Sequence, residues 1–176
     1  MTSLFLNQKP MKIQKDLPQF NEKNALIIVS WEFQVKYYIA HNGQILPLET
    51  FAVANPRAKL QEDYLPTTKL GISGSIYNSA KHEVQEKLLR RLKKETAEIY
   101  KKHHIADVYL FCIDFMMERV KESLSGTIRD ALRLEYLGDM QYHPPMNLLE
   151  IIQKQQDEKK KENDIILLEE ILRHKK

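Results

Sequence analysis

Lys69-Leu70-Gly71-Ile72-Ser73-Gly74-Ser75 sets two glycines and two serines behind a lysine, and Ser79-Ala80-Lys81-His82 follows at once. Three chemistries can be built on such a stretch. Backbone N–H groups of a glycine turn can cradle a phosphate, but the full Gly-x-x-x-x-Gly-Lys-Ser/Thr spacing of a nucleotide loop is absent. A serine hydroxyl beside a base can attack an ester, yet Ser75 or Ser79 with His82 has no visible acid to orient the imidazole. The third is electrostatic. Lys87, Arg90, Arg91, Lys94 and Lys101 follow the glycines and can neutralise phosphates without reading a sequence. Glu83, Glu86, Glu95 and Glu98 share that run, so an ordinary solvated helix face is the competing reading.

Other candidates are weaker. Asp114 and Glu118 lie four apart after an apolar run and could serve a two-metal nuclease, but Ala25 to Ser30 offers no acid to complete the set. Asp114 reads better as a helix cap. None of the six histidines has metal-binding spacing, and His103-His104 suit the negative end of a helix. Cys112 is the only cysteine, so neither an internal disulfide nor a thiolate cluster can form. Its apolar neighbours predict a buried, unreactive thiol. Trp31, Phe33, Tyr37 and Tyr38 could stack bases, but sheet packing is the reading their pattern favours. No catalytic residue, metal or other cofactor is expected.

The elements that must position these residues follow from periodicity. Residues 1–23, with Pro10 and Pro18, read as an irregular arm in which Met11 to Gln14 can form a short edge strand. Ala25 to Ser30 is a buried strand. Gln34 to Ala40 is a second, Asn42-Gly43 a tight hairpin turn, and Ile45 to about Val53 the return strand, with Pro47 marking an edge. The pattern dissolves over residues 54–77, a loop long enough to be functional or disordered. A helix capped by Asn78 or Ser79 then runs to about His103, with Val84, Leu88, Leu92 and Ile99 on its apolar face. Val108 to Ile113 is the next strand, laid parallel to an earlier one by the helical crossover. A helix from Asp114 to near Gly126, a helical turn, a short strand over Leu134 to Leu137 and a helix from Met146 to about Gln153 complete the order.

The predicted class is α/β, a mixed sheet with an N-terminal antiparallel meander and crossover helices, plus a C-terminal helix. Three segments result: the arm, an αβ domain over 24–153, and 154–176 as a charged linker, or an exposed helix in its place, with an amphipathic helical tail. Ile165, Leu168, Ile171 and Leu172 in that tail must find cover on the body, on a second copy or on a protein partner. With 176 residues, 43% hydrophobic and 29% charged, the chain can bury one sizeable core. A net charge of +3 permits nucleic-acid contact without requiring it. No apolar run is long enough to span a bilayer, and the start lacks the basic region of a secretory signal. No membrane partner is expected, and the cytoplasm is the expected location.

This order resembles the central domain of archaeo-eukaryotic class-1 release factors and Pelota, and of their stand-alone bacterial relatives. The likeness covers roughly Asn24 to Gln153. Its most specific part is a Lys-x-Gly-x-Gly-Gly-Gln loop leading into a basic helix, met here by Lys69, Gly71, Ser73, Gly74 and Ser75. The resemblance implies a ribonuclease-H-like fold and binding to the ribosome or structured RNA. It implies no peptidyl-tRNA hydrolysis, because Ser75 stands where the family has its glutamine and a serine hydroxyl is too short to match its geometry. The RNA- or ribosome-binding set expected on this basis is Lys69, Gly71, Gly74, Ser75, Lys87, Arg90, Arg91, Lys94 and Lys101, in a translation-related factor. A structural or regulatory module acting through its C-terminal helix is the alternative.

Overall fold

A computed structural model describes residues 9–55 and 74–173, with side chains over 9–55 and 78–167. Seven strands form one mixed sheet. They are β1 (Met11–Lys12), β2 (Asn24–Ser30), β3 (Gln34–His41), β4 (Gln44–Pro47), β5 (Phe51–Ala52), β6 (Ile105–Cys112) and β7 (Leu132–Leu137). The helices are α1 (Gly74–Lys102), α2 (Asp114–Ser123), α3 (Gly126–Asp130) and α4 (Pro145–Arg173). The spatial order is β1-β4-β3-β2-β6-β7, with β5 on β3. The β2–β3–β4 meander is antiparallel, while β6 and β7 run parallel to β2 and β6 in turn. This is the mixed α/β sheet expected from the sequence, with the first long strand at its centre.

Local chemistry explains most of these boundaries. Asn42 and Gly43 hold φ at +46° and +70°, which suits a two-residue hairpin to the right-handed twist of its strands. The expected single return strand is instead two pieces. β4 ends at Pro47, one further bond runs from the Leu48 N–H to the Tyr37 carbonyl at 2.8 Å, and strand pairing with β3 resumes at Phe51. At the other end of β4, β1 covers Gln44 and Ile45 and so blunts that edge.

The alternating side chains of β2 divide the core. Leu26 and Ile28 meet Leu88, Leu89 and Leu92 of α1 and Met116, Met117 and Val120 of α2 on one face. Ala25, Ile27 and Val29 meet Leu148, Leu149 and Ile152 of α4, together with Ile13 and Leu17 of the arm, on the other. The result is a sheet buried on both sides, and β2 and β6 read as continuous apolar runs for that reason.

Two helix starts differ from expectation. α1 begins at Gly74, about a turn before Asn78, because first-turn N–H groups need no intrahelical partner and tolerate glycine and serine there. Asp114 is the first residue of α2 and not its cap; that position is Ile113, which makes no side-chain cap. Asp114 still lies at the helix's positive end. Of the two readings of the charged run after Gln153, the structure has the exposed helix and not the linker: α4 continues through it to Arg173.

Candidate nucleic-acid interface

α1 carries eight cations and four glutamates, and its packing decides which of them face water. Leu88, Leu92 and Thr96 are fully buried, and Tyr37 from β3 shares its hydroxyl with the Thr96 Oγ1 at 3.0 Å. That anchoring fixes the helix rotation. Lys87, Arg90, Arg91, Lys94 and Lys101 are all exposed as a consequence. Lys87, Lys94 and Lys101 recur every seven residues, so they drift only about 20° per step and form a row about 21 Å long.

The cations differ in how committed they are. The Lys87 ammonium meets the Glu83 carboxylate at 2.6 Å, and the Arg91 Nε donates to Glu95 at 2.5 Å. Arg91 also lies over the Phe51 ring, 4.4 Å from its centroid. Such exposed i,i+4 pairs contribute about 0.3–0.5 kcal/mol and are readily exchanged for another anion. Arg90 donates its Nε to the Glu86 carbonyl at 3.3 Å, and the rest of its guanidinium fork meets no carboxylate among the described residues. Lys94 and Lys101 form no ion pair among the described residues. The Glu86 carboxylate, which the sequence set against the basic face, is drawn aside by the Arg119 guanidinium of α2 at 2.8 Å.

At the start of α1, Lys81 pairs with Glu32 beyond the end of β2, and its ammonium sits 5.2 Å from the Phe115 ring centroid. The Glu32–Lys81 pair joins the helix start to the carboxyl ends of the parallel strands. Gly74 and Ser75 are the first two residues of the same helix. Lys69 and Gly71 lie outside the described residues, as does most of the expected loop. His82 is exposed, and the side chain of Ser75 is not among those described.

The remaining candidates fall into place around the core. Tyr37 and Tyr38 are buried in the sheet. Cys112 is buried, and burial pushes its thiol up to about 12. Glu118 contacts Lys121 at 3.3 Å. His103 is held below its usual value, first by burial and then by Lys102 and His104. The helix end therefore favours neutral His103 over the cation its dipole alone would stabilise. Among the described residues no three His, Cys, Asp or Glu side chains gather to hold a metal, and no helix is long and apolar enough to cross a membrane.

Sequence reasoning missed a second cationic place. Lys23, Arg133 and Lys159 surround a cleft of about 330 Å³ where β6 and β7 begin. These residues come from three distant parts of the chain and share no local pattern.

No protein-family profile matches this chain. No curated protein matches it either. Among solved structures, it is similar to the crystal structure of an archaeal translation termination factor, aRF1, with 9% identity and a TM-score of 0.43. That similarity covers 83% of this chain and 41% of the archaeal one.

Proposed function

We propose that the protein binds structured RNA of the kind the ribosome presents, docking through the basic face of α1 and acting as a translation-related factor without peptidyl-tRNA hydrolysis. The observation that carries this reading is the exposed row Lys87, Lys94 and Lys101, flanked by Arg90 and Arg91, on a helix whose inner face is fixed by Leu88, Leu92 and Thr96. Cations held at fixed spacing on a rigid support gain affinity from every phosphate they neutralise, and they release counterions in doing so. The expected contribution of Lys69, Gly71, Gly74 and Ser75 is to extend this surface past the helix start. Serine at position 75 supports binding over chemistry, since the resembled family acts there through a glutamine. The cytoplasm is where such a partner is met.

Co-sedimentation with ribosomes tests the reading. The protein is expected to pellet with ribosomes at low salt and leave them at high salt. Replacing Lys87, Lys94 and Lys101 together with glutamate should lower the salt slope by about 2–3, at roughly 0.7–0.9 per lost phosphate contact. Folded protein that stays in the supernatant at low salt overturns it.

One observation favours a second reading. Ile165, Ile166 and Leu167 are adjacent on α4 and each more than half exposed. Together with Leu168, Ile171 and Leu172 they would make an apolar segment suited to self-association or a helical partner. Ile165→Glu with Leu168→Glu should then abolish any dimer seen by sedimentation velocity while leaving ribosome binding unchanged.

A further inference from the structure

The cleft at the start of β6 and β7 is walled by sheet on one side and by α4 on the other. Its cations are Lys23, just before β2, Arg133 in β7 and Lys159 on α4; among the described residues Asp107 is its single acid. Arg133 Nε donates to Asp107 at 2.7 Å, which engages that acid, and its two terminal guanidinium nitrogens have no acceptor among the described residues. Lys159 is brought to the rim by a 3.1 Å bond from its ammonium to the Arg133 carbonyl, which uses one of three donors.

At the base lies Tyr109, only 4% exposed. Its ring is set edge-on against Phe20, with centroids 5.9 Å apart. Its oxygen accepts from the Gln156 amide at 3.4 Å, and its own proton has no acceptor among the described residues. Burial and the neighbouring Asp107 push this phenol up, so it remains a donor at neutral pH. A buried donor without an acceptor costs free energy unless something fills the place. Three cations and an unspent O–H converge on a space at the small end of the range for ligand pockets. Leu134 and Ile152 give it an apolar side. Donors outnumber acceptors throughout, which selects for an oxygen-rich anion with an apolar flank.

We propose that this cleft is a binding site for a phosphate monoester of nucleotide size, with Lys23, Arg133 and Lys159 taking the phosphoryl oxygens and the Tyr109 hydroxyl donating from below. The phosphoryl group can come from a free mononucleotide or from the 5′ end of an RNA strand. The site stands on its own residues and does not depend on the basic face of α1.

Calorimetric titration of the full chain with uridine monophosphate, with inorganic phosphate, and with a short RNA bearing either a 5′-phosphate or a 5′-hydroxyl tests it. Loss of one charge-assisted contact is worth about tenfold in affinity. If the source is the RNA end, the 5′-phosphorylated strand should bind more than tenfold tighter than its hydroxyl counterpart, since every contact to the phosphoryl group is lost at once. If it is a free nucleotide, uridine monophosphate should titrate and the two strands should bind alike. In either case Tyr109→Phe and, separately, Lys159→Gln should weaken binding about tenfold. Lys159 is exposed, so its replacement leaves the fold intact even if Tyr109→Phe does not. Charge reversal on α1 should not alter the 5′-phosphate preference or the uridine monophosphate isotherm, which separates this site from the RNA-docking reading. Absence of both a uridine monophosphate isotherm and a 5′-phosphate preference overturns the proposal, as does binding that both variants leave unchanged.

Discussion

His104, two residues beyond α1, holds φ at +48°, a conformation that costs an L residue about 1–2 kcal/mol and glycine far less. Beside it the Asn24 amide donates to the His103 carbonyl at 2.6 Å, satisfying one of the oxygens a helix end leaves open. His104→Gly is expected to stabilise the protein by about 1 kcal/mol, and Asn24→Ala to destabilise it by about 1 kcal/mol. Urea midpoints at constant m-value measure both; a neutral His104→Gly would mean that the left-handed residue carries no strain. The buried acids act in another direction. Burial raises Tyr37, Tyr38, Tyr109 and Cys112 above their ordinary values. The folded chain therefore holds these protons more tightly than the unfolded one. Their contribution is full below the ordinary values of 9.0 for cysteine and 10.0 for tyrosine and is lost as pH rises through the raised ones. The melting temperature should be level from about pH 7 to about pH 8.5 and fall beyond it; below that range His103, held under its usual value, lowers it again. Cys112→Ala should move the start of that fall upward, toward the tyrosine range.

At the scale of elements, the sequence made the sheet legible where period and turn chemistry agreed. Asn42-Gly43 fixed a hairpin, and the apolar runs around Ile27 and Leu110 gave two central strands. What it concealed has physical causes. The start of α1 was placed late because Gly74 and Ser75 read as loop, although a first turn needs no side-chain preference that they lack. The course of α4 past Gln153 stayed open between linker and exposed helix because charged residues there have no apolar period; helix formers and the Gln153–Asp157 bond at 2.9 Å carry the backbone through. The basic row on α1 was legible because seven-residue spacing survives in a sequence, whereas the cleft residues Lys23, Tyr109, Arg133 and Lys159 become neighbours only when the sheet forms. From Asp157 to Leu167 every residue of α4 is exposed. A chain ending at Asp164 should consequently unfold within about 0.5 kcal/mol of the full protein. A larger loss in guanidinium titration would mean that the end of α4 packs on the body.

Across the whole molecule, two apolar layers share one sheet, and neither closes alone. β2 supplies Leu26 and Ile28 to one layer and Ala25, Ile27 and Val29 to the other, and β6 divides likewise, with Val108 and Leu110 on one side and Tyr109 and Phe111 on the other. Loss of either helical layer would leave a face of these central strands in water, so the layers should melt together. Leu88 of α1 and Leu149 of α4 are fully buried on opposite faces. Leu88→Ala and Leu149→Ala should each cost about 2–5 kcal/mol. They share no partner, so the double variant should lose the sum to within about 0.5 kcal/mol if it still folds. The two probes needed are already present. Far-UV ellipticity follows helices in both layers, and Trp31, the only tryptophan, follows the end of β2. Coincident transitions by both probes in each single variant are expected for one cooperative unit. A Leu149→Ala protein that loses part of its ellipticity in an early step, while Trp31 fluorescence holds to a later one, would show that α4 is a separable layer. The cleft, one wall of which is α4, would then be lost before the basic face of α1.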